Sequence, residues 1–260
     1  MFRVAVLGSS GQMGQAVVAA VEGADDLELV ARINRVPSPG SAPFFTEFGK
    51  AVEAASPEVV VDFSVAEAAA DHALEALDAG VSPVIGTTGM SHDQVAAIRE
   101  RADATGMGAF IAPNFAIGAV LMMQMAAMAA PHLDSVEVIE LHHDRKRDAP
   151  SGTAARTAEL IVRARGGHPA QDAATEAFTL EGVRGGVRGG VRVHSVRLPG
   201  LVAHQEVIFG GEGQTLTIRH DSTSRESFMP GVLLAVRQVR GLSGLVIGLE
   251  HLLTSSEGEA

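Results

Sequence analysis

A short apolar run, Val4-Ala5-Val6-Leu7, breaks at Gly8, and Gly11 and Gly14 follow at three-residue intervals. This feature constrains the chain more than any other. Residues 3–7 predict a buried parallel strand. Gly8 to Gly14 reads as a turn and residues 15–22 as a helix. A strand, a glycine turn and a helix in that order form the context of a dinucleotide-binding loop. Gly8 permits the tight turn, Gly11 lets the backbone approach a pyrophosphate, and Gly14 lets the helix sit against the strand. The N–H groups at the helix start present positive potential to an anion. The bland alternative is three turn glycines with no ligand.

The pattern continues as an alternation. Further strands are expected at 27–33, 59–63, 82–85 and 108–112, with helices at 66–77 and 93–101. Residues 35–50, rich in Pro and Gly, read as loop. Alternating strands and helices argue for a parallel α/β sheet of Rossmann type. Beyond about residue 133 the pattern changes. Strands are expected at 136–143, 192–197, 206–209 and 215–219, with a helix at 154–165, which suggests an α+β domain with a mixed sheet. Residues 230–253 turn helical and apolar. The expected division is a dinucleotide domain, 1–114 with 230–260 returning to it, and a domain for substrate and oligomer contacts, 115–229. The Gly182–Arg192 repeat of Gly-Val-Arg-Gly reads as a flexible surface loop rather than an RNA contact. The tail from Ser255 reads as frayed.

Composition excludes several functions. The chain of 260 residues is 46% hydrophobic, enough for a core, and carries a net charge of −11. Such an acidic chain is a poor match for a nucleic-acid backbone, and without Trp or Tyr it lacks a base-stacking platform. Without Cys it has no disulfides, thiolate metal sites or Cys nucleophile. The longest apolar stretch, Phe115 to Ala130, is interrupted by Gly118 and Gln124. A bilayer span needs about 20 apolar residues, so this stretch reads as a buried helix and no membrane partner is expected. With no leader-like start, the cytoplasm is the expected compartment.

Cofactor choice depends on the end of the second strand. An acidic residue there would bind both ribose hydroxyls of NAD. The chain instead reads Ala31-Arg32-Ile33-Asn34-Arg35. Asn34 does not repel a 2′-phosphate, and Arg32 or Arg35 can pair with one. NADPH is therefore the expected cofactor, with NADH as the alternative.

The stretch Glu140-Leu-His142-His143-Asp-Arg-Lys146-Arg-Asp-Ala-Pro-Ser151-Gly152-Thr153-Ala154 holds the second cluster of chemistry. Neighbouring side chains on a strand point to opposite faces, so His142 and His143 do not share a metal ion and no metal site is expected. Lys50 and Lys146 are the only lysines in a chain that otherwise uses Arg. Unlike Arg, a Lys can titrate and acts as a compact point charge. Ser151 or Thr153 is placed to cap the following helix. N–H groups of Gly152 and Thr153 are suited to a carboxylate.

On these residues the chain resembles the dihydrodipicolinate reductase family. The resemblance also rests on Val61-Asp-Phe-Ser64, Gly86-Thr-Thr-Gly89 and Ala112-Pro-Asn-Phe115 and runs over nearly the whole chain. It implies NAD(P)H-dependent reduction of 4-hydroxy-tetrahydrodipicolinate, with loss of water, in lysine and diaminopimelate synthesis. It implies His142 as proton donor or acceptor and Lys146 as proton donor. It implies His143, Ser151, Gly152 and Thr153 as holders of the substrate carboxylates. Gly8, Ser9, Ser10, Gly11, Gln12 and Met13 take the pyrophosphate; Gly86, Thr87, Thr88, Ala112, Pro113, Asn114 and Phe115 lie along the nicotinamide half. A homotetramer and a small dicarboxylate substrate are further implications. Many members carry an acid where Asn34 stands, which puts efficient NADH use in question. Two other readings stand beside it: a different imine or aldehyde reductase on the same scaffold, and a cofactor-binding regulator without turnover.

Overall fold

The computed structural model describes residues 1–37, 39–168 and 180–253. In chain order the first elements are β1 (Phe2–Leu7), α1 (Gln12–Glu22), β2 (Leu27–Ile33), β3 (Phe44–Phe45), α2 (Phe48–Ala55), β4 (Val59–Asp62), α3 (Ala66–Asp78), β5 (Ser82–Ile85), α4 (His92–Thr105) and β6 (Ala109–Ile111). Then come α5 (Ile117–Ala129), β7 (Ser135–His142), α6 (Gly152–Ala164), β8 (Gly186–Arg188), β9 (Val191–Arg197), β10 (Ala203–Gly211) and β11 (Gln214–Ser222). The last are α7 (Met229–Gln238), β12 (Leu245–Ile247) and α8 (Glu250–Leu253). The chain forms two compact units: Met1–Ala116 together with the segment from Phe228 onward, and Ile117–Ser227.

The first unit is a seven-stranded parallel sheet in the order β12-β6-β5-β4-β1-β2-β3. Its central strands are apolar at consecutive positions, as a sheet covered on both faces requires: Val4, Val6, Val59 and Val61 are all fully buried. α3 and α4 close one side through Ala69, Ala73, Leu77, Ile98 and Ala102. Ser91 caps α4, and Gln94 returns the bond to the Ser91 N–H.

Four expectations change in detail. Residues 35–50 are not all loop: Phe44 and Phe45 pair with Arg32 and Ile33, and α2 begins at Phe48. Phe48, Ala51 and Ala55 bury the inner face of α2 at helical spacing, a signal masked by the Pro and Gly before it. The first helix starts at Gln12, so Gly14 lies within its first turn. The apolar C-terminal segment is not helical throughout, because Leu245–Ile247 adds a parallel strand beside β6. Three residues between glycines carry too little periodicity to reveal that from sequence. Within the Gly182–Arg192 repeat, residues 182–185 are turn, whereas Gly186–Arg188 and the start of β9 form a hairpin rather than a loop. β8 pairs with β9 across Gly189 and Gly190, both at positive φ (59° and 88°).

The second unit is a mixed five-stranded sheet, β11-β10-β7-β9-β8, in which only β7 and β9 run parallel. One face of β7 buries Val136, Val138 and Glu140, giving the expected alternation. α5 is the expected helix, and part of it is buried. Ala119, Val120, Met122, Met123 and Ala126 are buried, whereas Leu121, Met125 and Met128 are exposed. Among the described residues no helix is long and apolar enough to cross a membrane. The tail from residue 254 lies outside the described residues.

Candidate functional site

The first unit gathers its candidate residues at the carboxyl ends of its strands, the edge where open α/β sheets take ligands. Gly8 follows β1 with φ +75°. A Cβ there would stand 2.4 Å from the Phe63 carbonyl oxygen, and one at Gly14 would stand 2.1 Å from the Gly8 carbonyl oxygen. Only glycine allows this crossing. Ser9 is buried and its hydroxyl donates to the Ile33 carbonyl at 3.2 Å, which ties the turn to the end of β2. The Ser10 hydroxyl donates to the Val36 carbonyl. Gly11 precedes α1 without any side-chain cap, and Gly11 and Gln12 are exposed while Met13 is half-buried. Helix-start N–H groups with no side chain over them fit a pyrophosphate.

At the end of β2 the two arginines differ. Arg32 is 5% exposed, with Nε donating to the Ala42 carbonyl at 3.0 Å and Nη1 to the Pro39 carbonyl at 2.8 Å. Its guanidinium also lies over the Phe44 ring, 5.9 Å from the centroid. Arg35 is exposed, and its N–H donates to the Asn34 side-chain oxygen at 2.7 Å.

Past β4 and β5 the same edge holds a buried carboxylate. Asp62 accepts from the Ser64 N–H at 2.7 Å and the Thr87 hydroxyl at 3.1 Å, and lies 2.9 Å from His72 Nδ1. Burial pushes its carboxyl up, but hydrogen bonds from His72 and Ser64 outweigh that and hold it below the ordinary range. Gly86 lies under the Phe63 ring, and a Cβ there would meet it at 2.2 Å. Thr88 and Pro113 are exposed, Asn114 is half-buried and accepts from the Ala116 N–H, and Ala112 is buried. Phe115 is buried with its ring 5.7 Å from Phe63.

The second unit holds the other cluster. His142 ends β7, and its Nδ1 lies 2.5 Å from Glu140 Oε2. The same carboxylate accepts from the Ser151 N–H through Oε1 at 3.2 Å. One buried group therefore joins the imidazole to the residue that opens α6. Ser151, rather than Thr153, caps that helix, its hydroxyl accepting from the Ala154 N–H. Gly152 has open space where a side chain would be, and Thr153 is partly buried. His143 is half-buried, with its Nδ1 buried and lacking a hydrogen-bond partner among the described residues. Lys146 Nζ pairs with the exposed Asp148 carboxylate at 2.8 Å, holding that carboxyl below its ordinary range. No group of three or more metal-ligating side chains occurs among the described residues.

Sequence reasoning gave no role to Glu140, Arg197 or Asp62. For Glu140 a signal existed: it stands two residues before His142 on an expected strand, hence on the same face. Arg197 carried none.

Fold and site together are those of an NAD(P)H-dependent oxidoreductase. Residues 2–115 match the dihydrodipicolinate reductase N-terminal family and residues 118–253 its C-terminal family. The chain belongs to the dihydrodipicolinate reductase family. It is 48% identical to a 4-hydroxy-tetrahydrodipicolinate reductase of Halalkalibacterium halodurans, over 97% of this chain and 100% of that one. It is 49% identical to its Geobacillus thermodenitrificans counterpart, over 96% and 98%. The solved dipicolinate-bound dihydrodipicolinate reductase from Paenisporosarcina sp. TG-14 is 43% identical, with a TM-score of 0.90 over 96% of this chain and 99% of that one. An amine dehydrogenase of Mycobacterium smegmatis shares the fold alone, at 14% identity and a TM-score of 0.64.

Proposed function

We propose that this chain reduces 4-hydroxy-tetrahydrodipicolinate to tetrahydrodipicolinate with loss of water, in lysine and diaminopimelate biosynthesis. The relative solved with dipicolinate, a planar ring dicarboxylate, supports a small dicarboxylate as substrate. Bound NAD(P)H supplies a hydride from the nicotinamide C4. The chain's own groups then have three tasks: to bind the two carboxylates, to exclude competing water, and to move protons as the 4-hydroxyl leaves and the ring is reduced.

His143, Ser151, Gly152 and Thr153 hold the substrate carboxylates, the helix start favouring negative charge. Lys146 exchanges Asp148 for the incoming anion, stabilises developing charge and donates a proton. His142 is the proton donor or acceptor, its imidazole held by the Glu140 carboxylate. Gly8 to Gly14 would hold the pyrophosphate of the cofactor, and Gly86 to Thr88 with Ala112 to Phe115 would hold its nicotinamide half. The single observation that carries this reading is the Glu140 carboxylate, which ties His142 to the start of α6.

NADPH is the preferred cofactor in this reading, with NADH as a second substrate. Arg35 with Asn34 receives the 2′-phosphate, because Arg32 is spent on the Pro39 and Ala42 carbonyls. A homotetramer in the cytoplasm is the corresponding proposal for assembly and location, carried by the family resemblance. Light scattering tests the first part and fractionation the second.

The function is tested by NADPH and NADH oxidation with freshly made substrate, comparing wild type with His142→Ala and Lys146→Ala. Each variant is expected to lose about 100-fold or more in kcat, the range for a positioned proton donor. Undiminished kcat in both would move the chemistry to other residues.

A further inference from the structure

The inward positions of β7 read Val136, Val138, Glu140 and His142. Glu140 is the charged member of this row and is fully buried. A carboxylate in such a place stays ionised only if partners replace its water. Arg197, on the neighbouring parallel strand, donates Nη1 to Oε2 at 2.9 Å and Nη2 to Oε1 at 2.7 Å. The Ser151 N–H adds a third bond. Arg197 is itself fixed by a bond from Nη2 to the Asp148 carbonyl at 2.7 Å. Burial pushes the Glu140 carboxyl up, but hydrogen bonds from His142, Arg197 and Ser195 hold it at about 2.

An ionised carboxylate accepts hydrogen bonds and donates none. With Glu140 Oε2 2.5 Å from His142 Nδ1, the ring hydrogen must sit on Nδ1. Nε2 is then the nitrogen left to exchange a proton. We propose that Glu140 is a positioning residue: kept ionised by Arg197, it locks His142 in the Nδ1–H form and leaves Nε2 as the proton-transferring atom. This rests on the reading of His142 given above. When His142 acts as donor, the Nε2–H bond breaks, its electron pair stays on the ring, and the proton passes to the substrate. The Nδ1–H bond is kept, and solvent returns a proton to Nε2. Glu140 stabilises the charged ring and never takes the proton.

A purely structural Glu140 would hold Arg197 and Ser151 and leave the ring tautomer indifferent. Glu140→Gln separates the two. The amide can turn its NH2 toward Nδ1, which then accepts, and the ring hydrogen moves to Nε2. The expected result is a kcat lower by about 100-fold with KM within about twofold. Nitrogen-15 spectra of His142 are expected to change from the Nδ1–H to the Nε2–H pattern. Arg197→Lys, which keeps a cation beside the carboxylate, is expected to retain the wild-type tautomer.

An unchanged tautomer and near-normal kcat in Glu140→Gln would overturn the proposal. If that variant does not fold, the wild-type spectrum alone decides, since a neutral Nε2–H ring in the native protein also overturns it. His142→Ala distinguishes the two levels. Full activity in that variant removes the catalytic reading of His142, whereas loss of activity there with none in Glu140→Gln removes only the role of Glu140.

Discussion

Glu140 and Arg197 meet across adjacent parallel strands, the guanidinium closing on both carboxylate oxygens at 2.7 and 2.9 Å. The carboxylate is fully buried and the arginine side chain is 19% exposed. The pair replaces the water each charge gave up, and it does so directly behind His142. Breaking it from either side leaves a charge in a place that cannot solvate it.

Arg197→Met is therefore expected to destabilise the protein by about 3–5 kcal/mol, the usual cost of stranding a buried partner. Urea unfolding measures it. Replacing both, with Glu140→Met and Arg197→Met together, is expected to recover most of the loss, because neither charge is then stranded. Equal losses in the single and double variants would show that packing, and not charge, sets the effect.

Stability is expected to fall steeply in acid. The Glu140 carboxyl is lowered from an ordinary 4.5 to about 2, burial opposing the shift and hydrogen bonds from His142, Arg197 and Ser195 producing it. A depressed carboxyl contributes stability that is fully present above its unfolded value and lost as pH falls through its folded value. The window is thus pH 4.5 to about 2. Asp62, also held low, acts in the same direction. Urea midpoints across that range should drop in wild type and drop less in Glu140→Gln.

Gly14→Ala is expected to abolish dinucleotide binding. The added methyl would stand 2.1 Å from the Gly8 carbonyl oxygen, a backbone atom that cannot move without opening the turn. Titration of NADPH by fluorescence reads the loss, and a folded variant with wild-type affinity would contradict it.

Cofactor preference is expected to follow Arg35. Arg35→Ala should raise KM for NADPH by about 10-fold or more, the worth of a charge-assisted hydrogen bond, and leave NADH nearly unchanged. Asn34→Asp should favour NADH by offering the ribose hydroxyls a carboxylate. Arg32→Ala should lower stability with no selective effect on NADPH, because Arg32 bonds the Pro39 and Ala42 carbonyls. Steady-state kinetics with both cofactors separates the three.

Much of the first unit is legible in the sequence. Apolar strands, the spacing of Gly8, Gly11 and Gly14, and the alternation of elements are local patterns with fixed periods. α2 and β12 were not legible. The first hides behind Pro37, Pro39 and Pro43, and the second is too short to show a period until β6 offers it a partner. In the second unit the stretch from His142 to Thr153 drew attention through its residue types. Its support did not, because Arg197 stands 57 positions from Glu140 and reads as an ordinary strand cation.

The sequence by itself determined the chemistry available: a glycine turn, an imidazole pair, one lysine among arginines, and a family membership carried by contiguous motifs. Tertiary structure decided which of those groups are committed elsewhere. It turned Arg32 inward and left Arg35 exposed, set Lys146 against Asp148, and buried Glu140 between His142 and Arg197. The physical reason is range. Periodicity and turn preference act over a few residues, whereas desolvation and charge pairing depend on which distant strands pack together.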